Sequence, residues 1–201
     1  MNPYDRTLRQ PAPVIPGQAK KARPDTGSGS LGTKIRRYRA KANPRGSRER
    51  WVVSDDARNA LERCELFSDI SNPQMMEVAA LIEEVSLEFD EMMLTEGEPA
   101  SHIFVIIEGR GVAQLSLDRG WISLGLVGPS DVAGWAALVG GQAYPASVRT
   151  LTPMRVASIE TQGLTLLLNL ESGIGYPVHR RLNSICFHQY QAALDTLKTT
   201  V

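Results

Sequence analysis

Between Val85 and Glu160 the chain switches repeatedly between short apolar runs and turn-forming residues, at intervals of roughly ten residues. That spacing leaves no room for a helical core and constrains this stretch to short strands. Val85-Ser-Leu-Glu-Phe alternates with period two, and Met93-Leu-Thr precedes a Glu96-Gly97-Glu98-Pro99 turn. His102–Ile107 is apolar after its first residue and reads as a buried strand. Val112–Leu117 and Trp121–Val127 flank a hairpin tip at Asp118-Arg119-Gly120, and Gly128–Asp131 is a turn. Tyr144–Leu151 and Met154–Glu160 complete the series, which predicts an antiparallel β-roll or jelly roll.

Helical spacing brackets the strands. Ser54 is a candidate N-cap, followed by Asp55 and Asp56, and Ala57, Ala60, Leu61 and Cys64 form one apolar face. Leu66-Phe67 closes that element, and Asn72-Pro73 opens a second helix. Thr161–Leu170 is a third. A long last helix is expected from about Pro177 to Leu197, its stripe formed by Val178, Leu182, Ile185, Cys186, Tyr190, Ala193, Leu194 and Leu197. The fold class is therefore mainly β, with N-terminal helices and a long C-terminal helix.

The net charge of zero hides a split. Residues 1–50 carry 13 Lys/Arg and 3 Asp/Glu, against 9 and 19 in residues 51–201. The first segment also holds six of the twelve prolines and shows no apolar period. It cannot bury enough surface to offset its ordering entropy, so a disordered basic tail at 1–50 and one domain at 51–201 are expected. Lys34, Arg36, Arg37 and Arg39 are the tail's candidate contact residues, for nucleic acid, an anionic membrane or an acidic protein. A purely solubilising tail is the plainer alternative. Two cysteines without metal-ligand spacing, and no secretory or membrane-spanning run, point to a cytoplasmic chain without metal or cofactor.

Two motifs in order resemble a known family. Glu96-Gly97-Glu98-Pro99-Ala100 followed by Ile103–Gly109 resembles the entry to the cyclic-nucleotide-binding domain of catabolite activator proteins, kinase A regulatory subunits and gated channels. Leu126–Gly134 resembles the turn into that family's phosphate-binding cassette, and Ala137-Leu138 with Ala146-Ser147-Val148-Arg149 resembles the remainder. The resemblance covers about Leu61 to Leu197. It implies a short helix opened by Gly134, whose free N–H groups can face an anion.

At the cassette the sequence departs from the pattern. The resemblance implies a ribose-binding Glu after Gly134, where this chain has Trp135. It implies a phosphate-neutralising Arg where the chain has Tyr144, and a backbone N–H donor where Pro145 has none. Arg149 lies five positions on from Tyr144, so on a regular strand it faces the opposite side. A buried phosphate without a cationic partner is strongly disfavoured. The pocket residues Gly134, Trp135, Ala136, Ala137, Tyr144, Pro145, Ala146 and Ser147 are thus expected to form a vestigial or altered site that does not bind cyclic AMP or cyclic GMP with useful affinity. Trp135 and Tyr144 either fill that pocket or make an aromatic floor for a different planar ligand.

No nucleophile–base pair is legible, and Ser147 has no histidine at motif spacing, so no enzyme is expected. His102, His179 and His188 read as surface or capping residues, and the pairs Met75-Met76 and Met92-Met93 as core filling. The acidic run from Glu83 to Glu98 reads as a solvated sheet edge. Only a few residues follow the last helix, leaving no room for a DNA-binding motif within the 201 residues. The expectation is a non-catalytic regulatory or scaffolding module that binds another protein, partly through Leu182, Ile185, Tyr190 and Leu194. A sensor for a non-nucleotide ligand, or for an atypical cyclic nucleotide, is the alternative.

Overall fold

The computed structural model describes residues 53–118 and 120–200. The basic tail, with Lys34, Arg36, Arg37 and Arg39, lies outside them. Helix α1 spans Asp55–Arg63, followed by a 3₁₀ turn at Glu65–Phe67 and helix α2 at Asn72–Ala79. Ser54 caps α1 as its composition demands: the Oγ accepts the Ala57 N–H at 3.1 Å, and Asp55 and Asp56 sit at the positive end of the helix dipole. At α2 the Ser71 N–H donates to Gln74 Oε1 at 2.8 Å, just ahead of Pro73 in the first turn.

Eight strands follow: β1 Ile82–Leu87, β2 Met92–Leu94, β3 His102–Glu108, β4 Gly111–Leu117, β5 Gly120–Val127, β6 Val132–Ala133, β7 Ser147–Thr150 and β8 Met154–Glu160. They form two antiparallel four-stranded sheets, ordered β1-β8-β3-β6 and β2-β7-β4-β5. β3 and β8 are central in the first sheet and buried on both faces. Ile103, Val105, Ala157 and Ile159 pack on the helices, while Ile106, Met154 and Val156 pack on the second sheet. Each fully buried branched side chain stabilises the fold by about 1.5–3 kcal/mol, which makes this pair of strands the backbone of the core.

Helix α3 spans Thr161–Leu170 and α4 spans Ser172–Thr200. α4 begins five residues before the expected start, so Pro177 lies inside it rather than at its head. Proline removes only one helical hydrogen bond there, and the buried Ile174 and Val178 on either side offset that loss. A single residue, Glu171, joins α3 to α4. The two helices come so close that a Cβ on Gly175 would lie 2.2 Å from the Leu168 carbonyl oxygen.

The stripe along α4 divides. Ile174, Val178, Leu182 and Ile185 are buried in the chain's own core, whereas Phe187 and Tyr190 are more than half exposed and Leu194 more than a third. Leu182 and Ile185 therefore belong to the domain interior, contrary to their assignment as assembly residues. The methionine pairs divide as well: Met75 and Met93 are buried, Met76 and Met92 exposed. Alternation on a strand, or adjacency on a helix, sends neighbours to different faces.

Ion pairs tie the helices to the sheets. Arg155 on β8 reaches Asp56, Glu84 and Glu108 at 3.4, 3.1 and 3.3 Å. Asp69 is gripped by Arg181 and Arg180, at 2.6 and 2.5 Å, which holds its carboxyl down at about 2.

Candidate functional site

The segment between β6 and β7 is where the sequence departs most, and its backbone explains its glycines. Gly134 adopts φ 76°, and a Cβ there would lie 2.7 Å from the His102 carbonyl and 3.2 Å from the Tyr144 ring. No other residue fits a left-handed position pressed against a strand. Gly134 opens the 3₁₀ turn Trp135–Leu138, as expected. Its carbonyl accepts the Ala137 N–H at 3.1 Å, and the Ala136 carbonyl accepts the Val139 and Gly141 N–H groups at 3.2 and 2.9 Å.

Tyr144 is buried and doubly anchored. Its hydroxyl donates to the His102 carbonyl at 2.9 Å and accepts the His102 N–H at 3.1 Å. Its own N–H donates to the Glu98 carbonyl at 2.9 Å, and its carbonyl accepts the Gly97 N–H at 2.9 Å. Residues 142–144 thereby pair with the Glu-Gly-Glu-Pro turn, and β7 starts only at Ser147 instead of Tyr144. Pro145 explains the break: it denies the ladder a donor, and it lies exposed.

Ser147 is fully buried on β7, where its Oγ accepts the Glu96 N–H at 2.9 Å; the Glu96 carboxylate in turn accepts the Ser116 N–H at 2.9 Å. Ser147 is thus a brace for the β2–β3 turn. Glu96 and the His102 backbone are contributors that composition did not single out, although the Glu-Gly-Glu-Pro turn marked their neighbourhood. Ala136 is buried, Ala137 and Ala146 are half-buried.

Gly134, Tyr144 and Ala133 do converge, with Tyr144 in the inter-sheet core beside Ala133, Ile106 and Val148. Trp135 does not join them. It is half-buried against the helical core, with Ala137 and Leu138. An aromatic floor shared by Trp135 and Tyr144 is therefore not formed, and Trp135 does not stand over Tyr144. The turn's helical twist sends Trp135 to the helix side, which strand-like counting does not anticipate.

Between Asp131 and Val148 the chain carries no Lys, Arg or His. Arg149 turns to the outer face and pairs with Asp90 at 2.7 Å. An open cleft of about 510 Å³ lies elsewhere, beside α3, lined by Ala100, Ser101, Glu160, Thr161, Thr165 and Asn169 among others. Ser101, one of its lining residues, lies 2.9 Å from His102 Nδ1 through its Oγ. Among the described residues no cluster of metal-ligating side chains occurs. Burial pushes the Cys64 thiol up to about 12, which removes it from nucleophilic chemistry. No described helix is long and apolar enough to cross a membrane.

Comparison with known proteins agrees with this architecture. Residues 84–170 match the family model of the cyclic nucleotide-binding domain. A cyclic nucleotide-binding domain from Methylobacillus flagellatus superposes with a TM-score of 0.64 at 20% identity, covering 73% of this chain and 83% of that one. The N-terminal domain of a transcriptional regulator from Streptomyces coelicolor gives 0.58 at 24% identity, over 67% and 94% of the two chains. The regulatory subunit of a cAMP-independent protein kinase A from Trypanosoma brucei, a triple mutant bound to cAMP, gives 0.55 at 18%, over 68% and 49%.

Proposed function

We propose that this cyclic-nucleotide-binding-domain fold serves as a non-catalytic regulatory module whose pocket no longer takes cyclic AMP or cyclic GMP, and which acts by contacting another protein. One observation carries the reading. The side chain that stands where the resemblance implies a phosphate-neutralising Arg is Tyr144, buried and tied by its hydroxyl to the His102 backbone. A phosphate entering there meets a phenol already committed to two hydrogen bonds, and no Lys, Arg or His between Asp131 and Val148. Removing the cationic partner of a buried charge costs about 3–5 kcal/mol, or two to four orders of magnitude in affinity.

The Trypanosoma protein supports this logic. It is described as cAMP-independent, and the form bound to cAMP carries three substitutions, one of them Thr to Arg. Here the corresponding chemistry would require Tyr144→Arg. The contact with a partner falls to the outward residues of α4, Phe187, Tyr190 and Leu194, with the basic tail as a tether.

Calorimetry with either nucleotide at millimolar concentration tests the pocket. No saturable heat is expected. A dissociation constant below about ten micromolar would restore the nucleotide-receptor reading. For the partner, affinity capture with the full chain should lose the captured protein on Tyr190→Glu with Leu194→Glu.

A further inference from the structure

The cleft of about 510 Å³ beside α3 lies outside the cassette. Ala100 and Ser101, just before β3, line one side, and the Thr161 N–H ties them to α3 by donating to the Ser101 carbonyl at 2.8 Å. The other side is one face of the helix, where Thr161, Thr165 and Asn169 follow at four-residue spacing beside Gln162 and Leu166. From Thr161 to Asn169 the groove runs about 12 Å, the length of three to four extended residues.

This groove is electronegative. Glu160 lines it and forms no ion pair among the described residues. Neither Lys nor Arg occurs in residues 93–109, 131–148 or 156–178, the stretches that surround it, and these hold Glu96, Glu98, Glu160 and Glu171. Their one base is His102, whose Nδ1 lies 2.9 Å from Ser101 Oγ. The first arginines of α4, Arg180 and Arg181, are held by Asp69. The lining also suits a backbone: Gln162 and Asn169 each carry a donor and an acceptor on one amide, matching the N–H and C=O of an extended peptide. A groove of this kind, open along its length, takes a basic peptide.

The chain itself supplies one. Lys34-Ile35-Arg36-Arg37-Tyr38-Arg39, outside the described residues, puts four cations in six positions without an acid. Thirteen residues separate Arg39 from Val53. Extended, they reach about 45 Å, against a radius of gyration of about 15 Å for a domain of this size, so the segment can arrive at the cleft from any entry point.

We propose that the cleft beside α3 seats the chain's own segment Lys34–Arg39, with an arginine side chain on Glu160 and the peptide backbone on Gln162 and Asn169. A short tether holds its segment at an effective concentration of millimolar order, so a contact too weak to retain a free peptide suffices. Seated there, the arm is withheld from any outside anionic partner, which must displace it. The inference goes beyond the reading of the cassette and holds whatever the cassette binds.

Trypsin digestion of the full chain in about 20 mM salt reads the docking, with cleavage after Arg6 and Arg9 as the internal reference. Cleavage after Arg36, Arg37 and Arg39 is expected to be at least about fivefold slower in the wild type than in Glu160→Gln, which keeps the shape of the side chain and removes its charge. At an effective concentration of about 1 mM, that protection corresponds to a dissociation constant of about 0.25 mM for the free segment. Thr165→Arg, at an exposed position, puts a cation in the cleft and should release the arm equally. Both variants should keep the wild-type thermal midpoint. In amide NMR spectra, Arg37→Glu with Arg39→Glu should move the side-chain signals of Gln162 and Asn169. Equal cleavage of the wild type and Glu160→Gln, which would leave the cleft to a free small cation, overturns the proposal. So do Gln162 and Asn169 signals that ignore the arm substitutions, because the arm then sits elsewhere.

Discussion

Replacing Tyr144 with Phe isolates what the hydroxyl contributes while keeping the ring. Two hydrogen bonds vanish, the donation to the His102 carbonyl at 2.9 Å and the acceptance from its N–H at 3.1 Å. At a net 0.5–1.5 kcal/mol for each, the loss is about 1–3 kcal/mol. Its lower half is favoured, because His102 is only half-buried and water can reach its orphaned groups. A domain of this size shifts its thermal midpoint by about 2–4 °C per kcal/mol, so Tyr144→Phe should melt about 2–8 °C below the wild type. Tyr144→Ala also removes the ring from the inter-sheet core and should cost about 3–5 kcal/mol, as other aromatic truncations do. Urea denaturation, with unchanged m-values, measures both directly. If Tyr144→Phe is as stable as the wild type within about 0.3 kcal/mol, the hydroxyl anchors nothing and the resident-tyrosine argument fails.

Three further outcomes follow from the geometry. Gly109→Ala should destabilise the fold by about 2 kcal/mol or more, because φ is 91° and the new Cβ would lie 2.4 Å from the Pro153 carbonyl; an unchanged melting curve would contradict it. Asp69 is held at about 2 by the Arg181 and Arg180 guanidiniums, below its unfolded value of about 4, so its contribution is complete above about pH 4 and fades towards pH 2; the stability difference between wild type and Asp69→Asn should shrink across that window, and a difference constant from pH 5 to 2.5 would contradict the pairing. Cys64 should resist a thiol reagent at pH 8 until the protein unfolds, since burial holds it at about 12, so prompt reaction of both thiols in the folded chain would show that the α1 core opens readily.

The sequence was most legible where one local rule decided the outcome. Thr161–Leu170 and Met154–Glu160 run between the limits that their periodicity marks, and Ser54 caps where a serine before two aspartates should. β6 escaped notice because two residues, Val132 and Ala133, carry no period; only pairing with Phe104 and Val105 makes them a strand. β7 came out shorter than its apolar pattern, since Tyr144 pairs with Glu98 across the cassette instead of extending the ladder. The start of α4 was hidden by Pro177, whose usual place is the first turn, while the packing that carries the helix past it, Ile174 and Gly175 against α3, is tertiary. At the site, the turn opened by Gly134 was legible, but not the burial of Tyr144 between the sheets nor the direction of Trp135. Side-chain direction in a four-residue turn is set by the neighbours it packs on, and these are distant in the chain.

The junction of α3 and α4 has a mechanical consequence. α4 extends about 43 Å at 1.5 Å per residue, and its anchored side chains end near Ile185, in the first half. Its base is clamped at Gly175, where backbone lies against the backbone of Leu168 with no side chain between them to yield. A long rod held rigidly at one end is a lever. A load at Tyr190 or Leu194 bears first on the buried Ile185 and Leu182 and, past them, on the clamp, from which α3 runs back to the end of β8 at Glu160. The strand that borders His102 thus lies one rigid elbow away from the tip of the last helix.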